Sequence, residues 1–291
     1  MKTVPKTILQ TIEDSEVGFS KGQKRIAQYI LDSYDKAAFL TASKLGSLVG
    51  VSESTVVRFA VELGYSGYPA MQKALQELVR SRLTSTQRIR AAGNLYAGQD
   101  LLGAVLESDI DRLREVSASV DRAEFTSAVQ RLMKARNIYI MGARSSAHVA
   151  AYLNFYMHLM MENVILVQSG AAGEIFEQLL RIGKGDVMIV LSFPRYSAVT
   201  ISTVQFALDR GADVIAITDN RKSPVAVNAT EALLAPSEMF SFVDSFVAPM
   251  SLINALLVAL SMRIGPQVSD TFEELEDIWD KYGVFSKSED E

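Results

Sequence analysis

The sequence predicts two domains: an all-α bundle over residues 1–82, and an α/β three-layer sandwich over residues 107–285 built on a parallel, mostly five-stranded sheet. Three observations predict this. Up to about residue 80 the apolar positions follow helical spacing, and none alternates as a strand would. From about residue 101, helical stretches alternate with short β-branched runs at 137–141, 164–167, 186–191, 214–218 and 231–234. Strands separated by helices imply a parallel sheet covered on both faces. Finally, 291 residues of which 48% are hydrophobic exceed one small domain and suffice for two cores.

Composition narrows the classes. There is no cysteine, which excludes disulfides, thiolate metal sites and a thiol nucleophile. The first residues lack the apolar run of a signal peptide. The longest apolar stretch, 247–260, is short for a span of ~20 residues and reads as a buried helix. A soluble, cytoplasmic protein without membrane contact is expected. The formal net charge is −5, but it is unevenly spread. Residues 1–90 hold 13 Lys and Arg against 8 Asp and Glu, whereas residues 91–291 hold 16 against 26. A basic front on an acidic body is the asymmetry of a nucleic-acid-binding module fused to something else.

In the bundle, Ser20 is expected to cap a helix carrying Ile26, Tyr29, Ile30 and Leu31. Thr41 caps a short second helix with Leu45, Leu48 and Val49, ended by Gly50 in a left-handed conformation. Ser52 caps a third, with Val56, Val57, Phe59, Ala60 and Leu63, closed by Gly64. A fourth follows Tyr68-Pro69 and runs towards Arg82. The second and third form a helix-turn-helix, in which Gly50 allows the sharp turn and Val51 plugs the angle. That leaves Ser52, Glu53, Ser54 and Thr55 at the start of a recognition helix facing the major groove, with Arg58 one turn on reaching a phosphate or a guanine. An ordinary capped helix in a small bundle would share this segment taken alone.

The flanks extend the pattern. Phe19, Gln23 to Ala27, Ala42 to Leu45, Val51 to Phe59 and Leu63 to Pro69 together resemble the N-terminal domain of the RpiR family of bacterial regulators. The resemblance covers about 60 residues and implies binding to double-stranded operator DNA. Residues 83–106, rich in Ser, Thr, Gln, Ala and Gly, are expected as a linker that is partly helical. Residues 286–291 form a polar tail.

Parallel sheets bind ligands beyond the C-terminal ends of their strands. Two loops there suit an anion. Gly142-Ala143-Arg144-Ser145-Ser146 leads from the first strand into a helix, whose free N–H groups and dipole favour negative charge. Ser192-Phe193-Pro194-Arg195-Tyr196-Ser197 follows the third strand and adds an arginine. Either loop alone reads as a helix cap; two after strands of one sheet point to one shared phosphate. A dinucleotide is disfavoured, because Arg144 stands where G-x-G-x-x-G needs glycine and Val167-Gln168 offers no carboxylate for a ribose.

This half resembles a SIS (sugar isomerase) domain, from about 107 to 285. The marks are Gly142 to Ala147, Ser192 to Ser197, Ile217-Thr218-Asp219 and Phe242-Val243-Asp244-Ser245. The resemblance implies phosphate binding by Ser146, with Ser145 beside it, Ser192 and Ser197. The second loop departs from the common S-x-S-G-x-[ST]: Pro194 replaces the middle serine and Arg195 the glycine, so one hydroxyl is lost and a guanidinium gained. Of the two histidines, His148 is expected in a core or surface role and His158 packed in an apolar helix. Glu174 and Glu177 read as a solvated helix start, and Arg221 and Lys222 as a loop rim. No residues have metal-ligand spacing, and neither a cofactor nor a catalytic residue is expected. The function expected is a regulator of carbohydrate metabolism, a homodimer or homotetramer whose operator affinity is set by a phosphosugar. The alternative is a sugar-phosphate isomerase or lyase using the same domain.

Overall fold

The computed structural model describes residues 8–82, 84–95, 98, 100–168, 170–237 and 243–285. Phe242 and the tail 286–291 lie outside them. The chain divides into two compact units, the first formed mainly by residues up to Asp100 and the second by Leu101 onwards.

The first unit is helical. It contains α1 (Ile8–Ser15), a 3-10 turn at Glu16–Gly18, α2 (Lys21–Ala37), α3 (Ala42–Val49), α4 (Glu53–Glu62), α5 (Tyr68–Arg82) and α6 (Ser85–Leu95). The expected caps are in place. Ser20 forms a capping box with Gln23, and Thr41 and Ser52 accept the N–H groups of Lys44 and Thr55. Each satisfies an N–H group that a helix start leaves orphaned. One core runs through the bundle, from Ile12, Ile26 and Ile30 through Leu45, Val56 and Phe59 to Met71, Leu75 and Val79. The side chains of α5 also close the end of α2: Tyr68 and Gln72 donate to the Leu40 carbonyl at 2.6 and 2.8 Å, and Gln76 to that of Ala38 at 3.1 Å. α1 has no counterpart in the sequence reading. The expected linker holds α6 and the first residues of the next helix.

The second unit is a three-layer sandwich. After α7 (Leu101–Ser119) and α8 (Arg122–Lys134) come β1 (Ile138–Gly142), α9 (Ser145–Met160), β2 (Val164–Val167), α10 (Ala172–Gln178), β3 (Val187–Leu191) and α11 (Ala198–Asp209). β4 (Asp213–Thr218), β5 (Glu231–Leu234), α12 (Val247–Ile264) and α13 (Pro266–Tyr282) complete it. The five strands pair in parallel in the order β2-β1-β3-β4-β5. Each lies within one residue of its expected place. Because strand side chains alternate, each face has its own core. Ile138, Ile140, Ile189 and Ile215 pack with α7, α8, α9 and α12. Tyr139, Met141, Met188 and Val190 pack with α10 and α11.

α12 is long and apolar enough to cross a membrane by length and composition. Its Leu252, Ile253, Leu256 and Leu260 are buried in the first of these cores, while Val258 and Met262 are exposed. The end of the sheet opposite the strand exits is held by charge. Arg131 reaches Glu231 at 2.9 Å and Asp213 at 2.8 Å. Arg136 grips Asp186 with two bonds of 2.9 and 2.6 Å.

Candidate functional site

Strand order marks the switch point of the sheet. β1 sends its chain through α9 to β2 on one side, and β3 sends its chain through α11 to β4 on the other. The two strands are neighbours, with Gly142 opposite Leu191. Since α9 and α11 cover opposite faces, the topological switch point lies between β1 and β3, where open α/β sheets hold ligands. The two loops singled out from sequence, 142–146 and 192–197, are the two that leave this point.

The first loop is tight. A Cβ on Gly142 would lie 2.3 Å from the Ser146 carbonyl oxygen and 2.6 Å from its carbon. Only glycine lets the first turn of α9 settle so closely on the end of β1. Arg144 takes a positive φ of 57°, uncommon outside glycine, and is exposed with Ser145. Ser146 is buried, at 5% exposed.

In the second loop Ser192 is likewise 5% exposed, and its N–H donates to the Ile217 carbonyl at 3.2 Å. Phe193 anchors the loop in the core, edge-on to Phe246 at 5.4 Å between centroids. Ser197 stands at the N-cap of α11, half-buried, and its hydroxyl makes no capping bond. One turn on, the Thr200 hydroxyl is fully buried and lacks a partner. Arg195 is exposed between these anchors.

Sequence reasoning missed how this loop is pinned. The Tyr196 hydroxyl donates to Asp219 at 2.6 Å, and Asn220 donates to Tyr196 at 3.3 Å and to Asp219 at 2.9 Å. Thr218 donates to the same carboxylate at 3.1 Å. The tyrosine in the second loop and the Thr-Asp pair at the end of β4 were separate signals, and nothing local joined them.

Ser146 and Ser192 are therefore buried and Ser197 half-buried on the two loops that leave the switch point, while Ser145 and Arg195 of the same loops are exposed. His148 is exposed near the start of α9. His158, expected to be packed, is exposed in its last turn: it falls outside the stripe of Val149, Ala150, Leu153 and Met157 that meets the sheet. Phe155 and Tyr156 of the same helix are exposed too. Glu174 caps the Ala171 N–H at 3.2 Å, and Arg221 pairs with Glu124. Among the described residues no cluster could hold a metal ion.

In the first unit, α3 and α4 meet at a close turn. A Cβ on Gly46 would lie 2.8 Å from the Val51 carbonyl oxygen, and Gly50 has a φ of 69°. Arg25 donates to the Gly50 carbonyl at 2.9 Å. Val56, Phe59 and Ala60 anchor α4 in the core, with Phe59 edge-on to Phe19 at 5.1 Å. Of the five residues expected at DNA, Ser52, Glu53, Ser54 and Arg58 are exposed and Thr55 is half-buried. The Ser52 hydroxyl is also engaged at the cap, 2.9 Å from that of Ser54 and 2.8 Å from that of Thr55. Lys21, Lys24 and Lys44 add exposed positive charge at the starts of α2 and α3.

The comparisons with known proteins agree with both halves. Residues 6–81 match the helix-turn-helix domain of the rpiR family, and residues 131–259 match the SIS domain. The chain is 24% identical over 280 residues to the HTH-type transcriptional regulator HexR of Escherichia coli, covering 93% of each. It is 27% identical over 233 residues to an HTH-type transcriptional regulator of Haemophilus influenzae, covering 78% of this chain and 79% of the relative. Among solved structures, the Vibrio vulnificus NanR protein complexed with ManNAc-6P shares its fold, with a TM-score of 0.59 and 22% identity over 96% of this chain and 99% of that one. The sugar isomerase domain of an RpiR transcription factor from Sphaerobacter thermophilus aligns with a TM-score of 0.58 and 24% identity, over 62% of this chain and 99% of that domain. With both domains matched in this order, the chain belongs to the RpiR family, a helix-turn-helix domain followed by a SIS domain.

Proposed function

We propose that this protein is a cytoplasmic transcriptional regulator of carbohydrate metabolism whose grip on operator DNA is set by a phosphorylated sugar. One observation carries the effector half of the reading: two buried serines, Ser146 and Ser192, flank the switch point of the sheet. There the phosphate would take hydroxyl donors from Ser146, Ser192 and Ser197 and the positive ends of α9 and α11. Ser145 and Arg195 would meet it from the rim, the guanidinium standing in for the hydroxyl lost at Pro194.

Operator contact falls to the start of α4, with Arg58 one turn on. Two copies of the chain, as a dimer or within a tetramer, would match a near-palindromic site. A coupling of about 1–3 kcal/mol between the sites changes operator affinity several-fold to a hundredfold. NanR, the structural neighbour complexed with ManNAc-6P, supports the ligand class.

Thermal denaturation of the full chain against a panel of sugar phosphates and the matching free sugars tests this reading. A ligand at 100 times its dissociation constant adds about 2.7 kcal/mol to the native state. The expected result is a rise in Tm with one phosphorylated sugar, absent with its free form and lost in Ser192→Ala. No rise across the panel would remove the phosphosugar from the proposal. The isomerase alternative is checked in the same samples: ketose and aldose phosphates should be recovered unchanged, and interconversion would make the domain an enzyme.

A further inference from the structure

The outward face of α4 carries two valines. Val57 is 37% exposed and Val61 54%. They stand one helical turn apart, and Ser54 and Arg58 share their side of the helix. The residues that tie α4 to the bundle, Val56, Phe59 and Ala60, are fully buried on the other side, so the two valines contribute little to the core. Valine is also a mediocre helix former, and partly exposed it gains less from burial than a core residue does.

Positive charge lies along one flank of α4, the flank that carries Thr55 and Glu62. A Cβ at Gly22 would touch Val51 at 3.3 Å and Thr55 at 3.6 Å, and Gln23 donates to Glu62. The first turn of α2 thus lies along α4, with exposed Lys21 and Lys24 beside it. With the exposed Arg58 beside it, the apolar stripe suits a polyanion that offers an apolar feature. Duplex DNA offers one in its major groove, the C5 methyl of thymine. Hydroxyl readout at the helix start is meanwhile restricted, because the Ser52 hydroxyl lies within 2.9 Å of those of Ser54 and Thr55.

We infer that Val57 and Val61 determine operator specificity by packing against thymine methyl groups. The inference rests on α4 being the recognition helix, and it assigns base discrimination to residues other than the serines at the helix start.

The test begins with full chain and duplexes enriched by it from a randomised pool. Binding of one enriched duplex is then titrated by fluorescence anisotropy, with thymines replaced singly by uracil, which lacks only the methyl. Burying one methyl-sized group corresponds to about fourfold in affinity. At least one uracil position per half-site should weaken the wild type by that factor. Val57→Ala or Val61→Ala should bind the thymine and uracil forms of that position equally, with an unchanged Tm. If an enriched duplex binds equally well with uracil at every position, the inference is overturned while the DNA-binding reading stands. If no duplex is enriched, both fall.

Discussion

Tyr196 and Asp219, 23 residues apart in sequence, are joined by a 2.6 Å hydrogen bond that ties the loop after β3 to the loop after β4. The carboxylate also accepts from Thr218 and Asn220. Three donors thus fix its orientation, and it in turn fixes the loop. Ser192 and Ser197 lie on either side of the pinned tyrosine, so the bond sets the spacing of two proposed phosphate donors. Tyr196→Phe keeps the ring and removes the bond. It should lower stability by about 1 kcal/mol and shrink the Tm response to the sugar phosphate found in the panel. An unchanged response would mean that the loop holds its shape without the bond.

Gly142→Ala places a methyl against the Ser146 backbone, which has no flexible side chain to give way. Overpacking of this kind costs about 1–3 kcal/mol. Urea denaturation should show that loss. Where the variant folds, it should show no effector response, because α9 must back away from β1 and carry Ser146 with it. Full stability together with a full response would disprove the close approach.

Burial pushes the Tyr68 phenol up to about 12, and its hydroxyl donates to the Leu40 carbonyl. The folded bundle thus favours the protonated form. That contribution is fully present below the unfolded value of about 10 and is lost as pH rises through the folded one. Alkaline unfolding followed by circular dichroism should show wild type losing stability above pH ~10. Tyr68→Phe, about 1 kcal/mol less stable at neutral pH, should lack that step.

Asp186 behaves in the opposite sense. Burial raises its pKa, but hydrogen bonds from Arg136, the Gly183 N–H and Asn137 outweigh this and hold it below the usual carboxylate value. A depressed folded pKa contributes stability above the unfolded value, near 3.9, which is lost as pH falls through the folded one. Urea midpoints between pH 7 and pH 3 should fall for wild type in the acid range. Asp186→Asn should start about 1–3 kcal/mol lower and decline less.

Much of this protein was legible in one dimension, and the reason is range. Ser20, Thr41 and Ser52 cap helices whose first turns follow immediately, and Gly50 takes its left-handed conformation from the residues beside it. β-Branched runs became strands where they stood. Such signals act over a few residues, so a linear reading captures them. α1 escaped because its eight residues bury only Ile8 and Ile12, too few to establish a period.

Other features depend on what meets across the fold. His158 was read as packed from its apolar neighbours, yet which side of α9 meets the sheet is set by docking and not by composition. Ser52, the expected cap, and Thr55 were expected at the groove, yet their hydroxyls lie 2.8 Å apart and engage each other. The sequence by itself determined the two domains, the helix-turn-helix, the five strands and the serine loops, because local propensity and periodicity act between near neighbours. Only the tertiary structure decided that β1 lies beside β3 and that Tyr196 closes on Asp219. Strand order and side-chain partners are chosen by packing energies between residues far apart in the chain, and no short window of sequence contains them.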